Sequence, residues 1–113
     1  MATLKFTSHT DNTVSFTDTG GIVTQDTDLD PTGKTIGYDT TYITIAGESA
    51  QTADAALAID GGFLYATFNS TDGGKTWSGT VTGGTGKFKG ATGTVTAEAT
   101  GPTDLAVVAD YST

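Results

Sequence analysis

Val81–Val95 reads VTGGTGKFKGATGTV and holds five of the chain's sixteen glycines, Gly83, Gly84, Gly86, Gly90 and Gly93. Glycine has no Cβ, so it reaches positive φ and lets backbones approach closely; a dense run of it between extended segments predicts a tight, kinked reversal. The flanks, Thr76–Thr82 and Thr92–Thr100, are threonine-rich and alternate in side-chain character, which predicts strands on both sides. Phe88, the one large apolar residue inside the reversal, is expected to plug it.

Outward from this motif the same grammar repeats. Ala2–His9 places Leu4 and Phe6 on one face, Asp11-Asn12 reads as a turn, and Val14 and Phe16 start a second strand. Asp18–Pro31 reads as an acidic loop, closed by the turn residues Asp30-Pro31-Thr32-Gly33. Lys34–Ile45 is the longest predicted strand, with Ile36, Tyr38, Thr40 and Tyr42 on one face and Asp39, Thr41, Ile43 and Ile45 on the other. Both faces are partly apolar, so both are expected to be covered. Ala46-Gly47-Glu48 turns into Gln51–Ile59, Asp60-Gly61-Gly62 into Phe63–Asn69, and Asp72-Gly73-Gly74 into the two strands of the glycine motif. Leu105–Tyr111 is the last strand. The pattern is all-β, with about eight strands joined mostly by short loops in one domain, residues 1–113. Eight antiparallel strands can close into a small up-and-down barrel, and a two-sheet sandwich fits the periodicity nearly as well.

Composition narrows the function. Thirteen acidic residues against five lysines and no arginine give a net charge of −8, which opposes binding to nucleic acid or to an anionic membrane. The absence of cysteine removes thiolate catalysis, disulfides and cysteine metal sites. No apolar run is long enough to span a bilayer and no leader pattern opens the chain, so a cytoplasmic protein is expected, and a mature secreted form would read alike.

Several motifs invite a chemistry and lack its parts. Gly33-Lys34-Thr35 and Gly86-Lys87 miss the leading glycine of a phosphate loop. Asp26, Asp28 and Asp30 have the first spacings of a calcium loop, but Pro31 stands where glycine is required and Gly37 where glutamate is; a solvated acidic loop is the simpler expectation, and no metal or cofactor is implied. His9 is the single imidazole and has no nucleophile elbow to serve. Ser70–Trp77, STDGGKTW, matches the Asp-box pattern SxDxGxTW, whose serine and aspartate brace a hairpin over a packed tryptophan. One such box in a chain this short predicts a structural brace. Of the carboxylates inside strands, Asp39, Asp54, Glu98 and Asp110, the last shares a face with Ala106 and Val108 and reads as the best candidate for a buried acid with a raised pKa.

The segment GGTGKFKGATGTV, with DLDPTGKTIGYDTTY upstream and Leu105–Tyr111 at the end, resembles the allene oxide cyclase and dirigent barrel superfamily. The resemblance extends from about Leu4 to Tyr111 and includes an upstream turn carried by Asp30, Gly33 and Gly37. It implies a calycin-like, eight-stranded barrel whose lumen holds a flexible hydrophobic small molecule, acts without cofactor as a cyclase or isomerase by restraining a reactive conformation, and associates into homo-oligomers. The first strand here, Thr3–His9, lacks the acid that allene oxide cyclases place there. On this reading Tyr38, Tyr42, Phe63, Tyr65, Trp77 and Tyr111 line the lumen, with Asp110 and Tyr42 as the polar groups acting on the ligand. The alternative is a non-catalytic structural or ligand-binding barrel that self-associates, with the same aromatics as core.

Overall fold

The computed structural model describes residues 1–16, 20–47 and 49–113; the acidic stretch at 17–19 and Glu48 of the expected turn at 46–48 lie outside the described residues. Eight strands follow one another as β1 (Ala2–Phe16), β2 (Gly21–Leu29), β3 (Thr35–Ile45), β4 (Gln51–Ile59), β5 (Gly62–Ser70), β6 (Thr76–Gly84), β7 (Thr92–Ala99) and β8 (Asp104–Ser112). Each pairs antiparallel with the next, and β1 pairs with β8, so the sheet closes into an up-and-down barrel. Closure leaves no free sheet edge, and that decides against the sandwich.

Two segments differ from the expectation. Asp11-Asn12 is not a turn: β1 runs through it, and a register shift between Thr10 and Asn12 against β2 absorbs the extra residue as a bulge. The stretch read as an acidic loop is mostly strand β2, its Asp26 and Asp28 buried. Acids at inward positions broke the alternation of apolar residues that would have marked a strand.

The glycine motif forms the connection expected of it. A 3₁₀ turn, Gly86–Phe88, joins β6 to β7, and Phe88 is among the most buried side chains, meeting Tyr111 edge-on at 5.5 Å. Gly86 sits at φ 59°, and a Cβ there would come within 2.1 Å of the Gly61 carbonyl oxygen; Lys87 N–H donates to that same oxygen at 2.9 Å. The motif is thereby docked on the β4–β5 turn and closes one end of the barrel. At the same end Asp30 caps the β2–β3 turn by accepting from the Thr32 and Lys34 amides at 2.9 and 3.0 Å.

At the opposite end the Asp-box segment braces the β5–β6 hairpin. Gly74 N–H donates to Ser70 Oγ, Asp72 Oδ1 accepts from the Ser70 hydroxyl and from the Lys75 and Thr76 amides, and Trp77 Nε1 donates to the Gly74 carbonyl at 3.0 Å. These bonds, the Thr76 hydroxyl foremost, hold the Asp72 carboxyl down at about 2.

The core is the lumen itself. Phe6, Leu57, Ile59, Leu64, Trp77, Val81, Val95 and Val107 point inward among the small residues Ala53, Ala55, Ala66, Ala97 and Ala109. A closed eight-stranded barrel has an interior only about wide enough for its own side chains, and these residues fill it. No helix among the described residues is long and apolar enough to cross a membrane, which says nothing of strands.

Candidate functional site: a lumenal cavity with three buried aspartates

That constraint on size inverts the expected placement of the aromatic residues. Tyr38, Phe63, Tyr42 and Tyr65 are 61%, 46%, 39% and 37% exposed and stand on the outer wall of β3–β5. They do not line the lumen. Tyr38 lies opposite Ala58, which lies opposite Phe63, and Tyr65 lies opposite Ala56, so the outer face carries an aromatic ridge beside an alanine trough; Phe63 and Tyr65 stack at 6.3 Å. Trp77 does line the interior cavity, and Tyr111 packs against Phe88 at the closed end.

Asp110, expected to be the buried acid, is also on the outside, where it accepts a 2.6 Å hydrogen bond from the Thr3 hydroxyl across the β1–β8 pair. The inward face of β8 is the other one, Val107 and Ala109 with Leu105. Both faces of this strand are apolar enough that alternation alone did not separate them.

The lumen does contain acids, and they come from β2 and β3. Asp26 lies directly opposite Asp39 in the β2–β3 register, and Asp28 is two residues along the same face. Asp26, Asp28 and Asp39 are 4%, 0% and 7% exposed. Asp39 is the central member, within hydrogen-bonding reach of both others. Its Oδ2 accepts from the Ser8 hydroxyl at 3.0 Å and its Oδ1 from the Thr41 hydroxyl at 3.0 Å, while Asp26 Oδ2 accepts from the Thr24 hydroxyl at 2.8 Å. Asp26 Oδ1 and both oxygens of Asp28 find no donor among the described residues.

Burial without a compensating cation makes ionisation costly, so these carboxyls retain protons. Burial, then the hydrogen bond and charge of Asp39, push Asp26 up to about 8; burial, then Asp28, pushes Asp39 up to about 7; burial raises Asp28 as well. Three adjoining carboxyls with no cation beside them share one or more protons at neutral pH. His9, on the outer side of β1, is a separate matter: its Nδ1 is 2.5 Å from Asp104, which raises its pKa.

The interior cavity ends on one member of this cluster, Asp39. Asp39, Ser8 and Thr41 supply its polar edge, and Phe6, Ile43, Leu57, Phe68, Trp77 and Leu105 are among its apolar walls. The space open to the centre of a water-sized sphere is about 60 Å³, on a measure by which one water needs roughly 10–15 Å³. A compact ligand of a few heavy atoms fits this space. An extended polyene, of the kind the resemblance implies, does not fit without displacement of Phe6, Leu57, Phe68 or Trp77.

Asp39 was legible as a strand carboxylate but not as the site, because its face looked no more apolar than that of Asp110. The usable signal was its alternation with Tyr38 and Tyr42: the face bearing these two large aromatics is turned outward, which leaves the Asp39 face inside. Asp26 and Asp28 carried a second signal, since acids two apart share one face of a strand.

The sequence matches no protein-family model and no curated protein. Among solved structures the fold is similar to one titled pyocyanin demethylase, with a TM-score of 0.81 and 17% identity over 98% of this chain and 100% of that one. At that identity the similarity speaks for the barrel: this chain is a small closed β-barrel with a structural neighbour named for work on a small molecule.

Proposed function

We propose that the barrel binds a small, largely apolar molecule in its lumen and moves a proton on it without a cofactor, as an isomerase or cyclase within the allene oxide cyclase-like group. The observation that carries this is the position of Asp39, a carboxyl with a pKa near neutrality at the polar edge of an otherwise apolar cavity. An acid–base group is most effective when its pKa lies close to the working pH and its proton is within hydrogen-bonding reach of the ligand. Ser8 and Thr41 orient the Asp39 carboxyl, while burial and then Asp28, acting as a positioning residue, hold its pKa up. In such a step a ligand C–H bond breaks, the proton passes to the Asp39 carboxylate, and its return to another atom completes the isomerisation. The glycine motif and the strand order support the group assignment, and the neighbour's title fits a ligand-handling barrel.

The test is deuterium uptake in D2O by small carbon acids, cyclic ketones and cyclic iminium ions, followed by proton NMR. Wild-type protein is expected to accelerate exchange of at least one, and Asp39→Asn to reduce that acceleration by about 100-fold or more. Exchange unaffected by Asp39→Asn, or no exchange with any carbon acid, would remove the catalytic reading.

The exposed aromatic ridge favours a second reading, a non-catalytic barrel that self-associates through β3–β5. Monomeric soluble proteins rarely expose so much contiguous aromatic surface. Sedimentation is then expected to show a homo-oligomer that Phe63→Lys dissociates, and a monomeric wild-type chain at high concentration would count against it.

A further inference from the structure

We infer that the lumen selects small apolar molecules carrying a positive charge, protonated amines or N-heteroaromatic cations, and seats that charge against Asp39 with Asp26 and Asp28 behind it. This rests on the lumenal site proposed above and adds the class of ligand it takes.

The cluster has buried oxygens without a hydrogen-bond partner among the described residues. Asp28 is fully buried and neither of its oxygens has a donor among the described residues, and Asp26 Oδ1 has none either. The neighbouring hydroxyls are already committed: Ser8 and Thr41 donate to Asp39, and Thr24 donates to Asp26. Buried polar groups are normally paired, so an orphaned set of this kind points to a missing partner. Three carboxyls accept and do not donate once ionised, and the partner they lack is therefore a donor or a cation.

The chain supplies no cation there. From β1 the cluster faces Ser8 and Thr10, with His9 and Asp11 on the outer side; from β2 and β3 it faces Thr24 and Thr41; from β4, Leu57 shares the cavity. Asp104 of β8 lies beyond, bound to His9. None of the five lysines lines the cavity, and the sequence has no arginine. The remaining walls suit the same ligand, because Phe6, Phe68 and Trp77 offer aromatic rings, whose faces attract a cation, and aliphatic side chains cover its hydrocarbon part. A net charge of −8 adds a favourable long-range field.

The two ligand classes the cluster could take differ in the sign of their pH dependence. A cation competes with the shared proton, so its affinity rises with pH and binding releases protons. A neutral acceptor such as a ketone needs the protonated acid, so its affinity falls as the pH rises.

Cyclopentylamine, cyclopentanol and cyclopentanone are matched in size and are suitable probes, the amine staying protonated throughout. Titration calorimetry at pH 6, 7 and 8, in buffers of different ionisation enthalpy, reads affinity and proton release together. Cyclopentylamine is expected to bind more tightly than the other two, by up to about tenfold more per pH unit between 6 and 7, with net proton release. Asp39→Asn, checked for fold by circular dichroism, is expected to abolish the preference for the amine and the proton release that accompanies its binding. If cyclopentanone or cyclopentanol binds as well as the amine, or affinity for the amine is flat or falls with pH, the cation inference is overturned and the lumenal site stands. Binding of none of the three overturns both.

Discussion

Raising the pH from 5 to 8 is expected to lower the stability of this protein by about 6 kcal/mol, and Asp26→Asn to remove about half of that loss. Asp26 and Asp39 titrate at about 8 and about 7 in the folded chain and at about 3.8 when unfolded. Below the unfolded value both states hold these protons, and the stabilisation relative to high pH is complete. Above it the unfolded chain releases them while the folded chain keeps them, so stability falls by about 1.4 kcal/mol per pH unit for each retained proton until the folded value is passed. Asp30 and Asp72 are shifted down and act in the opposite direction, but only in acid, outside this window. An amide at position 26 keeps the hydrogen-bonding shape and removes one buried charge. Urea unfolding at five pH values from 5 to 9 measures the slope. A flat or rising profile for the wild type, or an Asp26→Asn profile parallel to it, contradicts the assignment.

Phe88→Ala is expected to cost about 3–5 kcal/mol, the range for emptying a fully buried aromatic site. That corresponds to a melting temperature lower by more than about 12 °C in a domain of this size. The ring is 1% exposed, sits in the 3₁₀ turn between β6 and β7, and is the edge-on partner of Tyr111. Its removal opens a cavity where the motif meets the β4–β5 turn, and the bonds from Lys87 and Thr85 to Gly61 and Phe63 lose their support. Phe63→Ala is the control, an aromatic deletion of the same size on the outer wall, and should cost far less. Equal losses in calorimetry would mean that Phe88 is not the plug.

These two residues show how unevenly the sequence could be read. Phe88 was identifiable because a large apolar residue among glycines has few places to go. The brace at Ser70–Trp77 was identifiable for a similar reason: its bonds are local, between residues no more than four apart, and the hairpin holds them wherever the barrel lies. The acids were harder. Asp26 and Asp28 looked solvated because burying a carboxyl is costly, and the cost is accepted here only because the three acids share protons in one place. No local pattern encodes that sharing, since Asp39 is brought to Asp26 by the β2–β3 register.

The sequence by itself determined the strands around the glycine motif, the turns capped by Asp30 and Asp72, and a chain of about eight antiparallel strands. Those features depend on backbone freedom, side-chain alternation and bonds between near neighbours. Which face of each strand is inside was decided only by the tertiary structure. Alternation defines two faces and does not name them; the name comes from closure, which leaves a narrow lumen that admits Ala55, Ala66 and Ala109 and turns Tyr38, Tyr42, Phe63 and Tyr65 outward. The same closure put Asp110 on the surface and gathered Asp26, Asp28 and Asp39 into one buried cluster, of which Asp39 reaches the polar edge of the cavity.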